Sequence, residues 1–232
     1  MDLKSIKTQW GIPILTADAV YEYLEQVGIR SWPELEPPAD LATYIASPLT
    51  DEQRTELRYA PKAEVVTHRD PKGNPFRGFR TVMKNWATTF CLLPGDYVVL
   101  VAEWKHGANV ISLVPPSGVP SKKDNGSMET CAKREFEEET GMGLEHVELL
   151  SGPNGLPIAT RGLTTSYFPF LGRTFEDIHV GPSSLDEKET LQLLLMPLTE
   201  WLQLIETGRV YEECAVSITF LALNRLGRLR LS

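Results

Sequence analysis

Chemistry is densest in one acidic run of this 232-residue chain, Arg134-Glu135-Phe136-Glu137-Glu138-Glu139-Thr140-Gly141-Met142. Read as a helix at about 100° per residue, Glu135, Glu138 and Glu139 fall within an arc of about 100°. Met128, Ala132 and Phe136 form an apolar stripe that seats the helix on a sheet, and Lys133 and Glu137 take the other flank. A solvated acidic face is the ordinary alternative for such a run, but this one carries two physical costs. Glu138 and Glu139 sit in the last turn before Gly141, where the helix dipole is negative and an anion loses about 0.3–1 kcal/mol. Like charges at i, i+4, such as Glu135 and Glu139, add a few tenths of a kcal/mol, and two half-buried carboxylates about 5 Å apart repel by roughly 3 kcal/mol at an effective dielectric of 20. A divalent cation reverses the sign of each term. Oxygen-only donors without His or Cys suit Mg²⁺, with Mn²⁺ as a substitute.

The rest of the chain must hold that helix in place. Its 42% hydrophobic content is enough for a sizeable core, and 17 Gly with 17 Pro fit neither a disordered nor a fibrous class. Lys plus Arg at 23 against Asp plus Glu at 31 leaves a net charge of −8. Such a balance argues against non-specific nucleic-acid or anionic-membrane binding, so any phosphate must be met by a local device. No apolar run reaches membrane-span length, and the start MDLKSIKTQWG has no signal-peptide apolar region. Cys91, Cys131 and Cys214 are few, odd in number and far apart, which points to a reducing cytoplasmic setting. His68, His106, His146 and His179 make no zinc-ligand spacing.

Residues 1–60 read as a helical extension that packs on the main domain or on a second subunit. The period predicts a helix over Ala17–Val27, capped by Thr16 and closed by Gly28, then short helical pieces at Ala39–Ala46 and Asp51–Tyr59. From residue 61 the texture turns to strands: Ala63–Arg69 and Phe76–Lys84 about the turn Asp70–Asn74, then Ala87–Leu93, Tyr97–Glu103 and Val110–Val114. A helix is predicted over Met128–Thr140, then strands at Val147–Ser151, Thr164–Arg173 and Thr190–Met196, and closing helices at Thr199–Glu206 and Glu212–Leu226. Mixed strands with helices outside them give an α/β sandwich (α+β in its irregular alternation) spanning residues 61–232.

The segment Arg134-Glu135-Phe136-x-Glu138-Glu139-x-Gly141-Met142 resembles the second half of the Nudix box, with every specified position filled. Val98–Lys105, followed by Ser112-Leu-Val-Pro-Pro-Ser-Gly118, resembles the lead into that box in the ADP-ribose and ADP-sugar pyrophosphatase branch. Leu185-Asp-Glu-Lys-Glu-Thr-Leu and Met196-Pro-Leu-Thr-Glu-Trp-Leu are similar to its C-terminal half. The likeness covers about Lys62–Leu226. It implies a Nudix-type α/β/α sandwich with a mixed sheet, a metal held by Glu135, Glu138 and Glu139, and a homodimer. One interval departs from the family. Taken from Gly118 to Arg134, the box is two residues too long; counted back from Arg134, Gly126 falls where the family has its first Glu and Pro120 where it has Gly. The loop Val119–Ser127 must therefore bulge, and Glu129 is the candidate replacement for the auxiliary carboxylate.

The resemblance also distributes roles. The general base is expected in the loop before the last strand, where Glu187 and Glu189 are the candidates. Arg134 is expected to point away from the Glu arc and to fix the helix through a carboxylate, acting on catalysis indirectly. Lys105 stands where the family has a cation on phosphate; a solvated strand-end lysine is the alternative. Phe79, flanked by Arg77 and Arg80, stands where an aromatic ring stacks on adenine, with core packing as its alternative; Trp86 is a second candidate. Gly118 belongs to the substrate-binding set, and Arg161-Gly162 falls in the loop Gly152–Gly162 where the branch reads its substrate. The expected activity is Mg²⁺-dependent hydrolysis of a nucleoside diphosphate linked to a sugar, giving a nucleoside monophosphate and a sugar phosphate. The alternatives are a dinucleoside polyphosphate, GDP-mannose or coenzyme A as substrate, or a non-catalytic Nudix-fold nucleotide-binding regulator.

Overall fold

The structure is a computed structural model and describes residues 6–34, 45–46, 48–57, 60–185 and 190–229. In chain order its elements are β1 (Ile6–Lys7), β2 (Pro13–Ile14), α1 (Val20–Gln26), α2 (Asp51–Leu57), β3 (Lys62–Arg69), β4 (Pro75–Val82), β5 (Trp86–Leu93), β6 (Tyr97–Lys105), β7 (Val110–Val114) and β8 (Ser117–Gly118). A 3₁₀ turn (Lys122–Asp124) leads into α3 (Met128–Thr140). The chain then forms β9 (Leu144–Leu149), β10 (Leu156–Pro157), β11 (Ser166–Thr174), β12 (Leu191–Pro197), α4 (Leu198–Glu206) and α5 (Glu213–Arg225). The described residues divide into two compact units, one within Met1–Trp32, Asn85–Leu156 and Ser166–Ser232, the other within Pro33–Lys84 and Pro157–Thr165.

The first unit is built on a mixed sheet of order β1-β2-β12-β6-β5-β11-β10, with β7 on β6, β8 on β5 and β9 on β11. β12 runs antiparallel to β6 from Leu191↔Glu103 to Pro197↔Tyr97, and β11 runs parallel to β5 from Tyr167↔Trp86 to Gly172↔Cys91. β5 meets β6 at Leu92↔Val98 and Leu93↔Tyr97. Its strands are covered on both faces, which is why they read as continuous apolar runs. Val98, Leu100, Ala102, Leu194 and Met196 pack with Trp201, Leu204 and Ile218 of α4 and α5 and with Val20 and Leu24 of α1. Ala87, Cys91, Val99 and Leu195 face the other way, against Cys131, Ala132 and Phe136 of α3. The period of two along each strand thus assigns one face to the closing helices and the other to the acidic helix.

The boundary expected near residue 60 does not separate these units. The N-terminal segment adds β1 and β2 to the sheet, with Ile14 opposite Leu195, and its helix enters the core. Strands of two residues have no period to read, so sequence alone showed only the helix. α1 begins at Val20 with no side-chain cap from Thr16; the Thr16 carbonyl accepts the Ala19 and Val20 N–H groups instead. Gly28, at φ +85°, closes it as expected. Arg209 fastens the segment, donating to the Ala17 carbonyl at 2.9 Å with its guanidinium 4.8 Å from the Tyr21 ring centroid. The helical piece expected at Ala39–Ala46 lies largely outside the described residues.

Trp201 is fully buried, and its indole N–H donates to Thr219 Oγ1 at 2.9 Å. Thr219→Val keeps the shape and strands that donor, so it is expected to cost about 1–3 kcal/mol in urea unfolding. In the second unit, β3 and β4 form the expected antiparallel hairpin, Lys62↔Val82 to Arg69↔Pro75. Asp70 Oδ1 accepts the N–H groups of Lys72 and Asn74, and Gly73 supplies a φ of +88°. Thr50 and Gln53 cap α2 reciprocally. Among the described residues no helix is long and apolar enough to cross a membrane.

Candidate active site

The acidic helix α3 occupies the span its sequence predicts. Ser127 Oγ accepts the Thr130 N–H at its start, and Gly141 ends it at φ +70°. Glycine is needed twice over at position 141, because a Cβ there would lie 2.1 Å from the Gly181 carbonyl oxygen. The packed face is Cys131, Ala132, Phe136 and Thr140. The helix lies beside β8, and the two touch closely: a Cβ on Gly118 would stand 2.0 Å from Glu135 Cδ. Position 118 must therefore be glycine for the Glu135 carboxylate to rest there. One residue earlier, the Ser117 N–H donates to Glu139 Oε2 at 3.0 Å. Two of the three expected acids are thus seated by the backbone of β8.

Arg134 does not point away from the acids. Its Nη2 lies 2.7 Å from Glu135 Oε1 and its Nη1 2.7 Å from Glu138 Oε2. The helical projection gave the direction of its Cα–Cβ bond, but the long side chain curls back and reaches Glu138 at i+4. The remaining edge of the guanidinium meets Asp124, with Nε to Oδ1 and Nη2 to Oδ2 both at 2.9 Å. Together these partners raise the Arg134 pKa above its ordinary value, the Asp124 bonds most of all.

Asp124 is a buried carboxylate on Arg134 that the sequence reading did not single out. It follows Gly118 at the interval that separates Pro120 from Gly126, so the first half of the box is regular if Asp stands in place of Glu. The two surplus residues come after it, in a turn where Asn125 and Gly126 take φ of 49° and 78°. Ser121 and Asp124 cap the 3₁₀ turn reciprocally, a Ser-x-x-Asp pattern visible in the sequence. Glu129, the expected replacement, pairs with Lys133 at 3.6 Å. The Asp124 side chain is fully buried. Arg134, followed by the Ser121 N–H and hydroxyl, outweighs desolvation and holds its carboxyl at about 2. A carboxyl lowered on folding stabilises the native state above its unfolded pKa near 4, and that contribution is lost as the pH falls through 2. Wild-type stability should therefore drop between about pH 4 and pH 2 more steeply than that of Asp124→Asn, measured by thermal melts across that window.

The other candidates have definite surroundings. Lys105, expected on phosphate, contacts Glu103 and lies 3.9 Å from Glu212. Burial would lower its pKa, but the charges of Glu103, Glu212 and Glu139 prevail and raise it. Phe79 and Arg80 belong to the second unit. Phe79 is 79% exposed rather than packed in a core, and Arg80 pairs with Glu64 at 2.8 Å. With His68, Phe76 and the Thr160–Thr164 segment they line a cavity of about 260 Å³. That segment includes Arg161, so the expected adenine-stacking ring and the expected substrate-reading loop do share a pocket. Trp86 stacks on Tyr167, with ring centroids 6.3 Å apart. Glu187 and Glu189 lie outside the described residues. The segment leading to them is tied to the acidic helix, since Gly181 N–H donates to the Gly141 carbonyl and Ser184 N–H to the Glu138 carbonyl, each at 2.8 Å.

The acids have the right chemistry for Mg²⁺ or Mn²⁺, being oxygen-only and on one helix. Their arrangement does not fit. Among the described residues, no group of three His, Cys, Asp or Glu side chains is gathered to hold a metal; Arg134 is bonded to Glu135 and Glu138, and the Ser117 N–H to Glu139.

A sheet covered by the acidic helix on one face and the closing helices on the other is the Nudix-type α/β/α sandwich. The chain shares its fold with a solved protein described as "Crystal structure of ADP compounds hydrolase", at a TM-score of 0.59 and 24% identity, over 73% of this chain and 89% of that one. No family model and no curated protein matches the sequence.

Proposed function

We propose that this protein is a Nudix-type hydrolase that cleaves the diphosphate of a nucleoside diphosphate linked to a sugar, of the ADP-ribose or ADP-sugar kind. Water adds to one phosphorus, the bridging P–O bond breaks, and the products are a nucleoside monophosphate and a sugar phosphate. The observation that carries this reading is the seating of Glu135 on Gly118 and of Glu139 on the Ser117 N–H within a fold shared with an ADP-compounds hydrolase. Side chains and amides held this firmly cost little reorganisation when a charged substrate arrives. Glu187 or Glu189 is the proposed general base; Ser184, in the described segment before them, donates its backbone N–H to the Glu138 carbonyl. The cavity of Phe76, Phe79, Arg80 and Arg161 pairs aromatic rings with guanidinium groups, which suits a planar base beside an anion. Mg²⁺ is the proposed cofactor on donor chemistry. The exposed Val65, Phe76 and Phe79 of the hairpin support a homodimer.

The test is a panel of ADP-ribose, ADP-glucose, GDP-mannose, a diadenosine polyphosphate and coenzyme A, each with Mg²⁺, Mn²⁺ or chelator, scored by phosphatase-coupled phosphate release. The proposal expects a nucleoside diphosphate sugar to turn over fastest, with AMP among the ADP-sugar products. Calorimetric binding of a nucleotide sugar with no product over hours would identify a regulator instead.

A further inference from the structure

The cavity of about 260 Å³ in the second unit has one face of the hairpin as its floor and one turn as its wall. The antiparallel register sets His68 opposite Phe76, Val66 opposite Gly78 and Glu64 opposite Arg80, and the period of two brings all three pairs to the same side. An aromatic ring and a guanidinium thus stand at opposite ends of the floor, about 13 Å apart along β4. Gly78 puts no side chain between them. A Cβ there would meet only Phe76 and Val66, at ordinary contact distances of 3.5 and 3.7 Å, so packing does not require glycine and its absence of a side chain leaves open space. Arg80 Nε and Nη2 both meet one Glu64 oxygen, at 2.9 and 2.8 Å, which fixes the fork and leaves its Nη1 edge for another acceptor. In the wall, the Gly162 N–H donates to the Ala159 carbonyl at 3.0 Å. The turn is joined to β4 by Thr81 N–H to the Gly162 carbonyl at 2.7 Å and Thr164 N–H to the Thr81 carbonyl at 3.1 Å. It carries Arg161, which has no ion-pair or hydrogen-bond partner among the described residues.

Charge selects the ligand. Among the described residues no Asp or Glu lines the cavity, whereas Arg80 and Arg161 both do. Residues 60–84 hold six Lys or Arg against two acids, in a chain of net charge −8. Of those acids, Glu64 is spent on Arg80 and Asp70 on the N–H groups of its own turn. A nucleobase and its ribose are uncharged, so two guanidinium groups exceed what they need. The diphosphate of the proposed substrate is the reacting group and belongs with α3 and β8 in the first unit. The volume lies just under the roughly 300 Å³ at which small-ligand pockets begin, which suits one nucleoside rather than a whole nucleotide sugar. We propose that Phe76, Arg80 and Arg161 hold a nucleoside carrying a phosphate of its own on the ribose, at the 2′ or 3′ oxygen, so that the substrate is a ribose-phosphorylated nucleoside diphosphate sugar. Phe76 stacks on the base, and Arg161 with the free edge of Arg80 grips the phosphate, whose oxygens match the planar fork. The inference rests on the proposed hydrolysis of a nucleoside diphosphate sugar and adds to it a third phosphate.

The experiment is calorimetry on the full chain, in chelator, with 5′-AMP, adenosine 2′,5′-bisphosphate and adenosine 3′,5′-bisphosphate. One of the two bisphosphates is expected to bind about tenfold or more tighter than 5′-AMP, the worth of charge-assisted hydrogen bonds. Which one gains assigns the phosphate to the 2′ or the 3′ oxygen. Arg161→Gln, at an exposed position, is expected to shrink that gain to about threefold or less. Gly78→Leu fills the floor and is expected to weaken all three ligands. The proposal is overturned if neither bisphosphate binds better than 5′-AMP, if none of the three binds, or if the gain survives in both variants. Each of those results leaves the hydrolase reading standing. If the bisphosphate gain holds while no compound of the panel above yields product, the pocket stands and the substrate claim falls with the hydrolase.

Discussion

Gly118→Val is expected to lower turnover about a hundredfold or more while leaving the fold in place. Even the first added carbon would lie 2.0 Å from Glu135 Cδ and 2.4 Å from both carboxylate oxygens, far inside any real contact. The obstructed atoms are the end of a flexible side chain, so Glu135 swings away and the backbone need not. Gly118 lies in a short strand paired with Ala87, and its φ is not in the left-handed region, so valine brings no backbone strain. A catalytic group displaced by about 1 Å commonly costs a hundredfold in rate. Turnover of ADP-ribose with an unshifted thermal transition is the paired measurement. A variant that is inactive because it is unfolded, or folded and as active as wild type, would contradict this account of position 118.

Asp124→Ala is expected to destabilise the protein by about 2–3 kcal/mol at neutral pH, the equivalent of lowering a carboxyl by nearly two pKa units on folding. In a chain of this size that is about 5–10 °C in Tm. The loss comes from two sides. Arg134 forfeits its bidentate partner, and the Ser121 N–H and hydroxyl lose the acceptor that caps the 3₁₀ turn. Arg134 keeps Glu135 and Glu138, which limits the cost below that of a buried charge left wholly alone. Asp124→Glu should recover little, since the longer chain must fit the same fully buried space.

The acidic helix was legible because several signals agreed on it: a buried stripe at helical spacing, three acids on one arc and a Gly stop. Most of the longer strands were legible for a similar reason, being apolar runs bounded by turn residues, but β9 runs Leu144–Leu149 rather than Val147–Ser151 and the two-residue β8 and β10 were not read. The partners of the helix were harder to see. Counting back from Arg134 assumed a fixed interval and landed on Gly126, whereas the surplus residues sit in the left-handed turn after Asp124. The Ser-x-x-Asp pattern at Ser121–Asp124 was the available signal. Arg134 was misdirected because a helical projection places Cβ atoms, and a guanidinium reaches several ångströms past its own. The short strands β1 and β2 left no trace, since two residues cannot show a period. Nothing in the order of residues indicated that Lys105 would meet Glu212, because that pairing is made by the docking of α5.

The most direct measurement compares AMP release from ADP-ribose with Mg²⁺ in wild type and Glu139→Gln. The amide oxygen of glutamine can still accept the Ser117 N–H, so local structure survives and only the charge is removed. The account predicts a rate loss of about a hundredfold or more with an unshifted or raised melting temperature. Wild-type turnover in that variant would contradict it.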